Sequence, residues 1–260
     1  MNWIEALILG LIQGLTEFLP VSSSGHLEIV KSLFGVDPEA SFYFTVMVHG
    51  ATVLSTLLVF RREIAALAIG AFKFKYNEET SYLLKIILSM IPVGIAGLLL
   101  KDPIERLFDG NLVFIGFMLL ITSGLLAIAH FIKKKDRNIG YLDALIIGIA
   151  QAIAVIPGIS RSGATIATGL IIGNSKEKIA NFSFLMVLVP VIGANILEIL
   201  PSGEITSGSA SAGVILIGFI AAFLSGYAAC KWMIALVKKS NLIWFSIYCA
   251  IAGSLSVILG

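Results

Sequence analysis

Six stretches of about 20 apolar residues limit, more than any other feature, what this chain can fold into. They cover residues 41–60, 81–100, 111–132, 180–200, 212–232 and 241–259. A transmembrane helix needs about 20 mostly apolar residues to cross the hydrocarbon core of a bilayer. The composition agrees, because 58% of the 260 residues are hydrophobic and only 13% are charged, against roughly 25% charged residues in soluble domains. We therefore predict an all-α integral membrane protein.

Two further apolar stretches, residues 3–34 and 140–174, are interrupted by polar residues near their middles. We call these interruptions the first kink (residues 19–25, LPVSSSG) and the second kink (residues 157–163, PGISRSG). Each stretch is predicted to form two short helices that enter and leave on the same side, as a re-entrant hairpin. Non-helical backbone at membrane depth is tolerated only where protein or a water-filled cavity satisfies its polar groups. The two kinks are therefore expected to face each other inside the helix bundle.

The distribution of lysine and arginine predicts the orientation. With both hairpins re-entrant, one face of the bundle carries the loops at 61–80, 133–139, 174–179 and 230–240. These loops hold 13 basic residues, and the loops of the opposite face hold 3. Because cytoplasmic loops carry the excess of Lys and Arg, the first hairpin is expected to open outward and the second to the cytoplasm. The formal net charge of only +2 does not favour a nucleic-acid partner, and membrane lipids are the expected surroundings.

An internal repeat relates residue n to residue n+138 across the two kinks. The matching pairs are Gly10 and Gly148, Gln13 and Gln151, Ser22 and Ser160, Ser24 and Ser162, and Gly25 and Gly163. Each half then has one hairpin and three spans, and the odd number of crossings gives the halves opposite orientations. We therefore predict a single membrane domain, residues 1–260, built as an inverted repeat of residues 1–132 and 140–260. In such architectures, functional sites lie near the bilayer midplane at the repeat interface.

The first kink and the helix before it carry residues suited to catalysis. Gln13 and Glu17 are four residues apart and therefore share one helix face. A carboxylate inside the membrane indicates a functional site, and Glu17 could hold a divalent cation, act as a general base or orient His26. The serines at 22–24 and Gly25 open a new helix, where N–H groups and hydroxyls bind anions. His26 lies one turn further and could serve as base or acid.

Arg161 in the second kink is the one arginine placed away from the predicted membrane interfaces. Its fork of N–H donors suits a phosphate group, and in the absence of substrate it could neutralise Glu17. Further donors at this helix start are Ser160, Ser162, Gly163 and Thr165. The two kinks together are predicted to build one site for an anionic, phosphate-containing substrate. The other two histidines, His49 and His130, are interpreted as structural.

The segments QGLTEFLPVSSSGH (13–26) and PGISRSGAT (157–165) resemble the two signature motifs of the undecaprenyl-diphosphate phosphatase family, the bacitracin-resistance BacA/UppP type. The resemblance covers essentially the whole chain. It implies hydrolysis of the terminal phosphate of a C55 polyprenyl diphosphate at the outer face of the bacterial plasma membrane. The product is the monophosphate lipid carrier for peptidoglycan synthesis.

The resemblance also implies residue roles. The catalytic residues would be Glu17, Ser23, His26 and Arg161. The substrate-binding residues would be Ser22, Ser24, Gly25, Ser160, Ser162, Gly163 and Thr165. The family's Glu or Gln, three residues, then Glu falls on Gln13 and Glu17, which would hold a divalent cation, Mg²⁺ or Ca²⁺. Two routes stay open: attack by Ser23 after His26 or Glu17 removes its proton, or attack by a metal-activated water.

Two other classes of protein share some of these features. Inverted repeats with broken helices are typical of transporters, so a polyprenyl-phosphate transporter or flippase is the main alternative. Lipid phosphatases with a histidine nucleophile also carry SGH and SR motifs, but they need a histidine six residues after the arginine, where this chain has Ala167. Small residues between Gly116 and Gly124 are a weak indication of a homodimer.

Overall fold

The computed structural model describes residues 1–36, 38–73, 75–100, 103, 107, 111–132, 136–199, 211–239 and 242–260. Within these ranges the chain forms eleven helices, and the only β-type pairing is an isolated bridge between Arg137 and Asn174. The helices are α1 (Trp3–Phe18), α2 (Ser23–Phe34), α3 (Pro38–Val59), α4 (Arg61–Ala71), α5 (Glu78–Leu99), α6 (Leu112–Phe131), α7 (Tyr141–Ile153), α8 (Arg161–Ile171), α9 (Lys176–Ile199), α10 (Ala212–Lys239) and α11 (Leu242–Leu259). The predicted all-α class is confirmed.

Six of these helices are long and apolar enough to cross a membrane: α3, α5, α6, α9, α10 and α11. They coincide with the six predicted spans. The basic residues between the first two spans predict a loop over 61–80, whereas the structure forms helix α4 over Arg61–Ala71. Its sequence RREIAALAIGA contains strong helix formers. It is too short and too charged at its start to be recognised as a membrane span.

Both interrupted stretches form two short helices, as predicted. Asn2 caps α1: its Oδ1 accepts from the N–H groups of Ile4 and Glu5 (2.9 Å each), and the Glu5 carboxylate accepts from the Asn2 N–H (2.8 Å). α2 ends at Gly35, whose φ of +64° is the left-handed geometry common after a helix. Gly140 starts α7, and its N–H donates to the Asp143 carboxylate (2.9 Å).

Glycines allow the closest helix contacts. A Cβ added to Gly116 on α6 would lie 2.7 Å from the Gly253 carbonyl oxygen on α11, and one added to Gly253 would lie 2.7 Å from the Gly116 carbonyl oxygen. Similarly, a Cβ on Gly10 of α1 would collide with the Gly218 carbonyl oxygen on α10. Small residues are the usual means by which membrane helices approach closely. Gly116 therefore packs within the chain, and the homodimer stays a prediction.

Three of the loops predicted to share one face lie together at one end of the bundle. The Arg137 N–H donates to the Gly173 carbonyl (3.0 Å), and the Ser175 N–H donates to the Arg137 carbonyl (2.9 Å). The Tyr141 hydroxyl lies 3.0 Å from the Tyr76 hydroxyl. The start of α7, the end of α8 and the segment before α5 therefore meet at this end.

Candidate active site

The first kink forms where Pro20 ends α1. Leu19 has an extended backbone (φ −72°, ψ 144°), the conformation that a following proline favours. The next helix, α2, is capped by Ser22, whose hydroxyl accepts from the Gly25 N–H (3.3 Å). Ser22 has a φ of +70°, in the left-handed region that residues with side chains rarely adopt. The first kink is therefore a strained turn at the start of α2.

The second kink turns at Gly158, whose φ is +91°. A Cβ at this position would lie 2.7 Å from the Met118 Cβ, so glycine is required by both conformation and space. Ser160 then caps α8 by accepting from the Gly163 N–H (3.1 Å). Thr122 of α6 secures the turn, because its hydroxyl accepts from the Ser160 N–H (3.0 Å). A polar residue of a spanning helix thus satisfies backbone that would otherwise be unpaired in the membrane.

The two kinks contact each other, as predicted. The Ser162 hydroxyl of the second kink donates to the Leu19 carbonyl of the first (3.1 Å). A Cβ added to Gly25 would lie 3.2 Å from the Gly158 Cα, which places the two backbones side by side. The side chains at the starts of α2 and α8 therefore belong to one site.

Glu17 is the centre of that site. Its Oε2 accepts from the Ser23 hydroxyl (2.6 Å) and from the Gln13 side-chain amide (3.1 Å). Its Oε1 forms an ion pair with the Arg161 guanidinium. The pairing of Gln13 with Glu17 and the ion pair of Arg161 with Glu17, both predicted from the sequence, are confirmed. Nucleophile candidate, carboxylate and arginine thus form one connected cluster, with Arg161 supplied by the other half of the chain.

Hydroxyl groups line both helix starts in matching pairs. The Ser22 and Ser24 hydroxyl oxygens are 3.3 Å apart, and those of Ser160 and Ser162 are 3.4 Å apart. Ser22 and Ser160 are buried. These four of the predicted substrate-binding residues lie where helix amino ends favour an anion.

Thr165, also predicted to bind substrate, makes a different set of contacts. Its hydroxyl donates to the Arg161 carbonyl (2.9 Å) and lies 2.6 Å from the Ser183 hydroxyl on α9. The first contact lies within α8, and the second joins α8 to α9. The structure therefore gives Thr165 a packing role, and its contact with substrate stays a prediction.

His26 is engaged away from the Ser23 hydroxyl. Its Nδ1 lies 2.8 Å from the Ser22 carbonyl oxygen, and its Nε2 lies 2.7 Å from the Tyr248 hydroxyl on α11. The Ser23 hydroxyl contacts Glu17 instead. Tyr248 could not be predicted, because nothing in this apolar stretch of sequence indicates a contact with the first motif.

A cleft with polar and apolar walls adjoins the cluster. The polar residues that line it beside Glu17, Arg161 and Ser162 are Thr52, Thr56 and Ser183. The apolar residues are Phe18, Val53, Phe184, Val187, Leu188 and Val191. Thr52 and Thr56 were not predicted. Their signal was present, since two threonines four apart place hydroxyls on one face of an otherwise apolar span.

Whether a divalent cation fits this site depends on the oxygen ligands that Glu17 and its neighbours offer. Within the described residues no group of three or more His, Cys, Asp or Glu side chains could hold a metal ion. The Gln13 side chain is fully buried, however, and its Oε1 has no hydrogen-bond partner among the described atoms. Mg²⁺ is commonly held by one or two carboxylates together with substrate phosphates. Glu17 and Gln13 supply a carboxylate and an unpaired amide oxygen, which are donor types that such a shared site uses.

The fold and the site together define a helical integral membrane protein whose two interrupted helices bring serine, glutamate and arginine into one partly buried cluster. Residues 6–255 match the protein family described as "Bacitracin resistance protein BacA". The chain belongs to this family.

Individual relatives match along nearly their whole length. The chain is 53% identical over 260 residues to a protein of Parabacteroides distasonis named undecaprenyl-diphosphatase, covering 99% of this chain and 98% of the relative. A protein of the same name from Christiangramia forsetii is 54% identical over 260 residues, with the same coverage. One from Methanobrevibacter smithii is 37% identical over 270 residues, covering 97% of this chain and 96% of the relative.

Proposed function

We propose that the chain hydrolyses the phosphoanhydride bond of undecaprenyl diphosphate, giving undecaprenyl phosphate and inorganic phosphate. Full-length relatives that bear the name undecaprenyl-diphosphatase support this activity. The observation that carries it is the position of Glu17 between the Ser23 hydroxyl and the Arg161 guanidinium. A base, a nucleophile and a phosphate-binding cation are thereby in contact before substrate arrives.

Arg161 and the two helix starts bind the diphosphate. Phosphate offers a guanidinium two parallel acceptors, which a single carboxylate oxygen does not. Arg161 therefore turns from Glu17 to the incoming phosphate and leaves the Glu17 Oε1 free. The amino ends of α2 and α8 add partial positive charge from two directions. The apolar wall of the cleft, which includes Phe184 and Val187, suits the start of the isoprenoid chain.

Ser23 then attacks the terminal phosphorus in line with the bond to the bridging oxygen. Its proton passes to Glu17, whose Oε2 already accepts the Ser23 O–H (2.6 Å), and this contact favours Glu17 over His26 as the base. Undecaprenyl phosphate leaves with the electron pair of the broken bond, and its charge is stabilised by Arg161. Glu17 passes the proton to the departing undecaprenyl phosphate and so becomes a carboxylate again. Water next attacks the phosphoserine, and Glu17 accepts a proton from the water and returns it to the Ser23 oxygen as the bond from that oxygen to phosphorus breaks, which releases inorganic phosphate. Direct attack by water on the diphosphate is the competing route.

A divalent cation fits beside this pathway. Glu17 and the unpaired Oε1 of Gln13 would hold it together with oxygens of the diphosphate. Such an ion supplies neutralisation of the charge that develops on the phosphoryl oxygens. Glu17 would then serve both the cation and the Ser23 proton through different lone pairs.

The proposed architecture is an inverted repeat of residues 1–132 and 140–260, each half with one re-entrant hairpin. Equivalent contacts recur in the two halves and support it. Gly10 of α1 abuts the backbone of α10, and Gly148 of α7 abuts the Ser89 backbone of α5. Likewise each kink has a serine cap that accepts from the N–H three residues later.

The site is proposed to open at the outer face of the plasma membrane, because the basic loops at the opposite end are expected to be cytoplasmic. Cysteine labelling tests this orientation, since the native Cys230 and Cys249 are both buried. Ser32→Cys, exposed at the end of α2, should react with a membrane-impermeant maleimide in intact cells. Glu63→Cys, exposed on α4, should react only after lysis. The reverse pattern would place the site on the cytoplasmic side.

Phosphate release from undecaprenyl diphosphate by the purified protein in detergent is the direct test of the function. Wild-type protein should release phosphate in the presence of Mg²⁺, and Ser23→Ala and Arg161→Ala should not. Ser32→Ala is the matched control, because Ser32 lies on the same helix as Ser23 but is exposed. Folded wild-type protein that releases no phosphate yet moves labelled undecaprenyl phosphate across proteoliposomes would instead indicate a transporter.

A further inference from the structure

Tyr248 of α11 contacts His26 in two ways. Its hydroxyl lies 2.7 Å from the His26 Nε2 across 222 residues of sequence. The two rings are also stacked, with centroids 5.5 Å apart and planes inclined by 12°. Tyr248 belongs to neither of the two sequence motifs, and it is 46% exposed at the edge of the bundle.

The hydrogen bonds of His26 define which ring nitrogen carries the proton. Its Nδ1 faces the Ser22 carbonyl oxygen at 2.8 Å, and a carbonyl can only accept, so the hydrogen is assigned to Nδ1. In a neutral ring the Nε2 is then an acceptor, and the Tyr248 hydroxyl is its donor. Both ring nitrogens therefore have hydrogen-bond partners. The Tyr248 hydroxyl donates to His26, and His26 donates to the Ser22 carbonyl oxygen.

Ser22, which accepts the last of these hydrogen bonds, has the most strained backbone of the site residues. Ser22 has φ +70° and ψ 97°, whereas the cap of the second kink, Ser160, has an ordinary φ of −72°. A residue with a side chain keeps such a conformation only where its surroundings enforce it. The Ser22 carbonyl accepts from both the His26 ring and the His26 N–H (3.2 Å). The next residue is Ser23, whose hydroxyl meets Glu17.

We propose that Tyr248 and His26 are positioning residues that clamp the strained Ser22 turn and so hold the Ser23 hydroxyl against Glu17. The proposal rests on the phosphatase function given above. In this proposal His26 holds the backbone of the turn through the Ser22 carbonyl and does not accept the Ser23 proton. Tyr248 acts only through His26, so its contribution disappears when His26 is absent.

Tyr248→Phe tests the clamp, because it removes the hydroxyl and keeps the stacked ring. We expect kcat for undecaprenyl diphosphate to fall about 3- to 10-fold, the effect of one neutral hydrogen bond, with KM unchanged. Tyr43→Phe is the matched control: Tyr43 is a partly exposed tyrosine of α3, and its substitution should change neither constant. Thermal unfolding in detergent checks that Tyr248→Phe is folded.

A double-mutant cycle separates the clamp from other roles. Tyr248→Phe should have no further effect in a His26→Ala or His26→Gln background. Additive losses, unchanged kcat in Tyr248→Phe, or a rise in KM of the same size would overturn the proposal. So would complete loss of turnover in both His26 variants, because two hydrogen bonds account for no more than about 100-fold. Absence of activity in the wild-type protein would instead refute the phosphatase function itself.

Discussion

Replacing Arg161 by lysine keeps the positive charge in the site and removes the forked geometry. The Arg161 side chain is 29% exposed and pairs with Glu17. A phosphate bound through two parallel hydrogen bonds retains only one with an ammonium group. One hydrogen bond to a charged group contributes about 1.5–3 kcal/mol, which corresponds to roughly a 10- to 150-fold fall in kcat/KM. Partial exposure places the expected loss nearer the lower limit.

Kinetics on undecaprenyl diphosphate and thermal unfolding in detergent are both needed to interpret this variant. Arg161→Met would leave the Glu17 carboxylate, only 11% exposed, without its cation. Loss of one partner of a fully buried ion pair costs about 3–5 kcal/mol, and the cost here is expected to be smaller because Arg161 is 29% exposed. Combining Arg161→Met with Glu17→Gln removes both charges, so stability should recover while activity stays absent. Near wild-type kcat/KM in Arg161→Lys, or an active double variant, would show that Arg161 does not recognise phosphate.

Four further outcomes are expected. Ser23→Ala should abolish both turnover and the labelled phosphoserine formed from substrate carrying ³²P in its terminal phosphate; retained turnover would favour direct attack by water. EDTA should stop the reaction, and an unchanged rate in EDTA would show that the reaction needs no cation. Gln13→Glu adds a second carboxylate to the proposed cation site, so it should lower the Mg²⁺ concentration that gives the half-maximal rate. Gly253→Ala should reduce stability by about 1–3 kcal/mol through overpacking, because its Cβ would lie 2.7 Å from the Gly116 carbonyl oxygen; an unchanged unfolding temperature would contradict this helix spacing.

Features of the fold that depend on local sequence could be predicted. The length of the apolar stretches gave the six spans, because the bilayer sets a minimum helix length. Pro20 and Gly158 marked the kinks, since proline and glycine act on the backbone at their own positions. Helical spacing alone placed Gln13 beside Glu17, and the structure confirms the contact at 3.1 Å.

Features that depend on contacts between distant elements could not be predicted. The His26 ring bonds to Tyr248 of α11, and the second kink is secured by Thr122 of α6. Neither partner stands out in its own helix, because an isolated tyrosine or threonine in an apolar span has many uses. The direction in which His26 turns likewise depends on α11, which is why the sequence left both His26 and Glu17 open as the base.

The balance of paired and unpaired groups explains how so polar a cluster is stable inside a membrane and still reactive. The backbone of each kink is satisfied by another part of the chain, as where Ser162 donates to the Leu19 carbonyl (3.1 Å). Against this, the buried Oε1 of Gln13 has no partner among the described residues, and leaving such an acceptor unpaired costs about 1–3 kcal/mol. A chain selected for stability alone would carry an apolar residue there. An unpaired acceptor one helical turn from Glu17 is expected instead where a ligand completes the site, as in the cation site proposed above.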